Sequence, residues 1–213
     1  MIYLLSPKSV DGVFSLPMIE FEIIYQDIDL NSYDFLLFTS KQAVEVTDIL
    51  NPKWIDTPNI SIGEATSKLI SSKDGQIAYQ PSNFYASSLA DDILEKFRGK
   101  KILYLRPQEV SFDTKGFLLS NGLEIDEVII YKTNCKKHNT ILEKNSIIIF
   151  TSPSTIKCFF KSFDWDSSFK AVVIGNSTKK HLPQDIECYE SDSLSINGCI
   201  DKAKEISLLS NLK

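Results

Sequence analysis

The strongest constraint on this chain is a repeat that keeps its register. Phe38-Thr39-Ser40 returns as Phe150-Thr151-Ser152, 112 positions on, and IGEATSKLI from Ile62 returns as IGNSTKKHL from Ile174 at the same spacing. In each copy an apolar run, FLLF or IIIF, leads straight into a Thr-Ser pair. Such runs suit strands of a parallel sheet covered on both faces, where polar alternation is lost. A hydroxyl at the turn suits a helix start, because its oxygen accepts from an otherwise unpaired first-turn amide. Two matches in one register, each at a strand-to-helix junction, point to duplicated α/β units.

The first copy reads as strand Asp34–Phe38, then a helix with Ala43, Val44, Val46, Thr47 and Leu50 at helical spacing. Strand Asn59–Ile62, a turn at Gly63 and a helix from Ala65 to Ile70 follow. The second copy reads as strand Ile147–Phe150, Pro153 in a first helical turn, and a helix through Phe160. Strand Ala171–Ile174, a turn at Gly175 and a helix start at Ser177 or Thr178 complete it. Elsewhere the pattern gives helix Tyr85–Phe97 closed by Gly99, strand Lys101–Leu105, helix Phe112–Leu119 and strand Glu124–Tyr131. Strand Ile186–Tyr189 and helix Ile196–Leu209 end the chain, and polar residues 134–145 mark a boundary.

A length of 213 residues suits one large domain or two small ones. The net charge of −5 argues against a nucleic-acid or anionic-membrane surface, but not against a small anion held by local dipoles. No apolar stretch approaches the roughly 18 residues of a membrane span, and no basic flank precedes Ile2–Leu5 as in a signal peptide. Cys135, Cys158, Cys188 and Cys199 form no C-x-x-C pair, so free thiols in a reducing, cytoplasmic compartment are expected. A monomer is the expectation for oligomeric state.

The turns carry the candidate site: Thr39 and Ser40, Thr66, Thr151 and Ser152 with Ser154, and Ser177 with Thr178. In parallel α/β sheets ligands collect at the carboxyl ends of strands, where helix N-termini offer free amides. Capping alone needs the same residue types, so each single turn reads either way; the repeated set points to a shared anionic ligand. Tyr131 ends EVIIY and is either a proton donor or a packed strand-end aromatic. Arg106 offers a fork for a carboxylate or a surface ion pair, and Lys179 and Lys180 offer charge after the Gly175 turn. Cys135 and His138 lack the further ligands of a zinc site, His181 is isolated, and no Gly-rich phosphate loop occurs, so neither metal nor nucleotide cofactor is expected.

Five segments in order, DFLLFTSKQAVEV (34–46), ISIGEATSKLI (60–70), VIIYKT (128–133), IIIFTSPSTIKCFF (147–160) and VVIGNSTKKHL (172–182), resemble uroporphyrinogen-III synthases. The resemblance implies two similar α/β domains, each a parallel sheet flanked by helices, joined by a two-stranded ladder with a cleft between them. Residues 1–28 and 134–213 would form one domain and 34–128 an inserted second. The hinge is expected at 29–33 and 129–133, with extended strands near 22–30 and 128–133 forming the ladder. Family members usually carry a helix after the first strand; here SPKSVDGVFS, with Pro7 and Gly12, leaves no room for one.

The resemblance further implies a cyclising hydro-lyase without cofactor. It would convert hydroxymethylbilane, an anionic linear tetrapyrrole, through a spiro intermediate, with the last ring inverted and water lost. Tyr131 matches the family tyrosine that assists hydroxyl loss; Ser40, Thr66, Ser152 and Thr178 match substrate-lining positions, with Ser154 and Ser177 beside them. Rival readings are a non-catalytic two-domain binder of an anionic metabolite and a structural α/β protein whose hydroxyl turns are only caps.

Overall fold

A computed structural model describes residues 1–81, 86–110 and 112–210. Tyr85, where the sequence reading opens its third helix, lies outside the described residues. The chain divides into two compact units, Met1–Glu20 with Asn134–Lys213, and Phe21–Thr133.

The first unit holds a five-stranded sheet of β1 (Ile2–Leu4), β2 (Phe14–Ser15), β9 (Ile147–Phe150), β10 (Lys170–Val173) and β11 (Cys188–Glu190). Its order is β11-β10-β9-β1-β2, with every pair parallel. No helix separates β1 from β2, as the short Pro- and Gly-bearing connection requires; instead Val10 and Val13 form an isolated bridge and Gly12 turns at φ 76°.

The other sheet runs β3-β8-β7-β4-β5-β6. Its strands are β3 (Ile19–Ile23), β4 (Phe35–Phe38), β5 (Asn59–Ser61), β6 (Ile77–Tyr79), β7 (Ile102–Pro107) and β8 (Asp126–Cys135). Pairs from β8 through β6 are parallel. β3 and β8 are antiparallel neighbours: the Lys136 amide donates to the Met18 carbonyl and the Ile24 amide to the Ile130 carbonyl, both at 2.9 Å, so partner numbers run in opposite senses. Lys132 and Glu22 add an ion pair at 2.9 Å.

That ladder corrects an expectation. No strand covers 29–33. The Asp29 carboxylate accepts from the Asn31 amide, the Asn31 side chain and the Ser32 hydroxyl, and this self-contained turn takes the chain out of extension. The strand that pairs with β8 lies ten residues earlier, over Ile19–Ile23.

The repeat survives in the coordinates. β4 and β9 occupy positions 112 apart, as do the first residues of α1 (Lys41–Leu50) and α5 (Pro153–Phe159), and of α2 (Glu64–Ser72) and α6 (Asn176–Lys179). The strand registers match too: Leu36 pairs with Asn59, and Ile148 with Ala171. The remaining helices are α3 (Ala86–Lys96), α4 (Thr114–Ser120) and α7 (Ile196–Ser210), and a 3-10 turn spans Pro52–Asp56.

Period-two strands feed two cores per sheet, because successive side chains leave opposite faces. In β9, Ile147 and Ile149 pack with Cys199, Ile200, Ala203 and Ile206 of α7, while Ile148 and Phe150 pack with Ile156 and Phe159 of α5. In β4, Leu36 and Phe38 meet Ala43, Val44 and Val46 of α1 together with Trp54, while Leu37 meets Leu89, Ala90 and Ile93 of α3. Sheets covered on both faces have only their edges left for ligands.

The thiol expectation is also corrected. Cys135, the last residue of β8, and Cys158, on α5, form a disulfide with Cα atoms 5.1 Å apart; Cys188 and Cys199 are free. The sequence spacing gives no hint of the pair, because sheet topology alone brings position 135 back to α5.

Candidate active site

Each hydroxyl turn is built by a strand end running into a helix start. Ser40 takes an extended backbone, and its Oγ accepts from the Ala43 amide at 3.1 Å, capping α1. The equivalent Ser152 caps α5 with a reciprocal box: its Oγ accepts from the Thr155 amide at 3.3 Å, and Thr155 Oγ1 accepts from the Ser152 amide at 3.2 Å. Pro153 takes the first helical position, where its missing N–H costs nothing.

The other two turns are glycine caps. Gly63 opens α2 at φ 79°, a region that penalises a Cβ. Gly175 opens α6 in an extended conformation, and a Cβ there would come within 2.6 Å of Leu194 Cδ2. Thr66 and Thr178, one turn into those helices, are buried, and their amides donate to the Gly63 and Gly175 carbonyls at 3.1 and 3.0 Å. Ser154 and Ser177 are exposed.

Beyond capping, Ser40 has a second partner. The Tyr131 hydroxyl lies 3.0 Å from its Oγ, and either oxygen can donate. Since Ser40 Oγ already accepts from Ala43, its own proton is free to point at the phenol oxygen. Tyr131 is 4% exposed, and burial holds its phenol above the ordinary value of 10.0; the Ser40 bond pulls the other way, and the nearby Tyr104 adds a smaller upward push. The ring of Phe21 stands edge-on to Tyr131, centroids 5.6 Å apart.

Ser40, Thr66 and Tyr131 therefore belong to one unit, and Ser152, Ser154, Ser177 and Thr178 to the other. Sequence reasoning missed Tyr104. Its hydroxyl sits 2.9 Å from Thr39 Oγ1, and burial raises its phenol well before that bond and Arg106 pull it back. The only trace in the sequence is one polar-tipped residue inside the otherwise apolar ILYL of β7.

Arg106 resolves towards its bland reading. Its Nε and Nη2 grip the Glu127 carboxylate at 2.8 and 3.1 Å, and its Nη1 donates to the Pro107 and Gln108 carbonyls, so the fork is occupied. His138 Nε2 lies 2.8 Å from the Pro17 carbonyl, a structural contact. Lys179, Lys180 and His181 are exposed. Among the described residues no three His, Cys, Asp or Glu side chains converge as a metal-binding group, and no helix is long and apolar enough to cross a membrane.

The arrangement is a buried phenol from within β8 backed by a serine hydroxyl at the turn that follows β4. It can deliver a proton and stabilise the oxygen left behind, beside helix N-termini suited to carboxylates.

Comparison with known proteins gives a consistent result. The family model described as HEM4, uroporphyrinogen-III synthase HemD, matches residues 12–201. The chain is 28% identical over 210 residues to the porphyrin biosynthesis protein HemD of Ruminiclostridium josui, covering 90% of this chain and 42% of that protein. This chain thus spans less than half the length of that relative. It is 31% identical over 175 residues to a putative uroporphyrinogen-III synthase of Methanocaldococcus jannaschii, covering 73% of this chain and 70% of that one. Among solved structures, the uroporphyrinogen-III synthetase of Helicobacter pylori superposes with a TM-score of 0.81 at 25% identity, covering 96% and 98% of the two chains. A mutant uroporphyrinogen III synthase of Thermus thermophilus shares the fold, with a TM-score of 0.58 at 9% identity, covering 98% of each chain.

Proposed function

This chain belongs to the uroporphyrinogen-III synthase family, and from that premise we propose that it cyclises hydroxymethylbilane to the type III macrocycle. The reaction is loss of water from a linear tetrapyrrole with inversion of its last ring. The observation that carries the assignment to particular residues is the buried Tyr131 phenol, 3.0 Å from the Ser40 hydroxyl.

The chemistry then runs as follows. Tyr131 gives its proton to the hydroxyl departing from the first ring, which leaves as water, and the C–O bond electrons go with it. Ser40 donates a hydrogen bond to the phenolate that remains, which lowers the cost of the transfer. The cationic azafulvene is attacked by the substituted carbon of the last ring, giving the spiro intermediate; this fragments and recloses with that ring turned over, and the proton released as the ring regains aromaticity returns to the Tyr131 phenolate. The substrate is reactive on its own, so the protein's main task is orientation: it holds a flexible polyacid so that the productive carbon attacks.

Ser40 and Thr66 supply one binding ledge, and Ser152, Ser154, Ser177 and Thr178 supply a second. Both ledges serve the one substrate in this reading, and the chain crosses between the two units twice, at Glu20–Phe21 and Thr133–Asn134. No cofactor enters the reaction, and the enzyme works as a monomer. What supports the ledges is their common construction, a strand end feeding a helix whose first-turn amides and hydroxyls suit carboxylates.

The test is incubation with freshly made hydroxymethylbilane and separation of the cyclised isomers. Type III product is the expected result. Type I alone, the uncatalysed outcome, would leave a binding protein or a structural one.

A further inference from the structure

Two adjacent residues at the end of β4 are each held by a tyrosine from a different strand: Thr39 by Tyr104 of β7 at 2.9 Å, and Ser40 by Tyr131 of β8 at 3.0 Å. We propose that Tyr104 is a positioning residue for ring closure: through Thr39 it fixes the turn that aims the Ser40 hydroxyl at Tyr131. This deepens the reading of Tyr131 as proton donor and rests on it.

The argument begins with what Ser40 must do. Once Tyr131 has given up its proton, the phenolate is held by the Ser40 O–H, and that hydroxyl must point at it rather than at another acceptor. Ser40 Oγ is fixed on one side by the Ala43 amide at 3.1 Å. Its backbone is fixed on the other by its neighbour Thr39, whose side chain is anchored to a phenol that is itself 2% exposed and set in a strand. A turn held at both ends loses little orientation when charge develops beside it.

The repeat supplies the second line of argument, because it shows what the fold alone requires. Tyr104 pairs with Leu37 of β4. The position 112 after Leu37 is Ile149 of β9, and its partner in β1 is Leu4, fully buried. The same slot in the same architecture is filled by an ordinary apolar side chain. Packing therefore does not need a hydroxyl there, and burying a phenol is unfavourable unless its oxygen is bonded. The hydroxyl occurs in the unit that carries Tyr131, and its bond goes to the residue next to Ser40. In the other unit the corresponding Thr-Ser turn is secured by the Ser152–Thr155 box.

The experiment combines kinetics with amide exchange. Tyr104→Phe, Thr39→Val and Thr39→Ser are made in the wild-type and Tyr131→Phe backgrounds. Single-turnover formation of type III product is measured, and exchange of the Ala43 amide reports on the Ser40 cap. Losing one neutral hydrogen bond should slow single turnover roughly 3- to 10-fold for Tyr104→Phe and Thr39→Val, with KM little changed. Thr39→Ser should restore the rate, neither slowing should recur when Tyr131 is already Phe, and the Ala43 amide should exchange several-fold faster.

An equal slowing in both backgrounds, or Ala43 exchange as slow as in the wild type, would overturn the inference while leaving Tyr131's role standing. If Tyr131→Phe alone leaves single turnover unchanged, the assignment of Tyr131 fails first, and the role given to Tyr104 fails with it.

Discussion

Replacing Tyr131 by Phe separates its proposed catalytic role from folding, because the two effects differ in size. The substitution removes one oxygen and its bond to Ser40 at 3.0 Å. The ring keeps its place beside Phe21 and in the core with Ile28, Leu36 and Phe38. Ser40 is not orphaned, since its Oγ still accepts from the Ala43 amide. The stability loss is then one net hydrogen bond, about 1 kcal/mol, or a few degrees in Tm for a chain of this size. Losing a general acid instead costs about 10²- to 10⁴-fold in rate, roughly 3–5 kcal/mol of barrier. Rapid-quench single turnover with fresh hydroxymethylbilane, beside thermal unfolding, reads both quantities. The expected pattern is a rate down by about a hundredfold or more with Tm nearly unchanged. A rate close to that of the wild type would remove Tyr131 from the mechanism, and a rate loss that tracks a large fall in Tm would make its role structural.

Three further outcomes follow from other parts of the molecule. Without reductant, the unfolded protein should show two reactive thiols, Cys188 and Cys199, and four after reduction; Cys158→Ser should lower stability by about 3 kcal/mol, the chain-entropy value for a loop of 23 residues, and identical thiol counts under both conditions would refute the Cys135–Cys158 bond. Asp48 accepts from Lys73 at 2.7 Å and from the buried Trp54 indole at 2.9 Å, so Asp48→Ala should destabilise by roughly 1–3 kcal/mol in a urea titration; those bonds also depress its carboxyl below 3.8, so their stabilisation is present above that pH and is lost as pH falls through the lower folded value. Burial raises the Tyr104 and Tyr131 phenols above 10.0, so the native state holds protons that the unfolded chain releases; stability should fall as pH climbs above about 10, less steeply in Tyr131→Phe, and an equal slope in both proteins would contradict the burial.

Much of the architecture is legible because it is written in local pattern. FLLF and IIIF are strands because continuous apolar runs are stable only where both faces are covered, and the residue after each run's Thr opens a helix because Ser can cap it. Boundaries move by a residue or two where caps decide them: the fourth helix begins at Thr114, after the Asp113 cap, instead of at Phe112. Short edge elements escape notice. β6 is only IAY, and the Pro52–Asp56 turn depends on Asn51, whose backbone amide closes α1 on the Thr47 carbonyl while its side chain accepts from the Lys53 amide. The hinge strand falls elsewhere than expected because any extended tendency near 29–33 is outweighed by the Asp29 turn, which no apolar pattern records. Of the candidate site, the hydroxyls at strand ends can be read, but the partners cannot. Tyr104–Thr39 and Ser40–Tyr131 join residues 65 and 91 positions apart, and only strand order makes them neighbours.

That strand order also explains why the two copies of one turn have diverged. In the proposed reaction a polyacid needs anchoring on more than one side, and both copies keep a capped helix start after the strand. In that reaction water is lost from one ring only, so a single proton donor suffices. The chain matches that inequality: β4 lies between β5 and β7, with β8 beyond β7, and both β7 and β8 send a phenol back to the Thr39–Ser40 turn. Around β9 the corresponding neighbour contributes Leu4, and the Ser152 cap closes on itself through Thr155. On the proposed reading, duplication supplies two anion ledges, and the two tyrosines beside Thr39 and Ser40 set one of them apart as the acid.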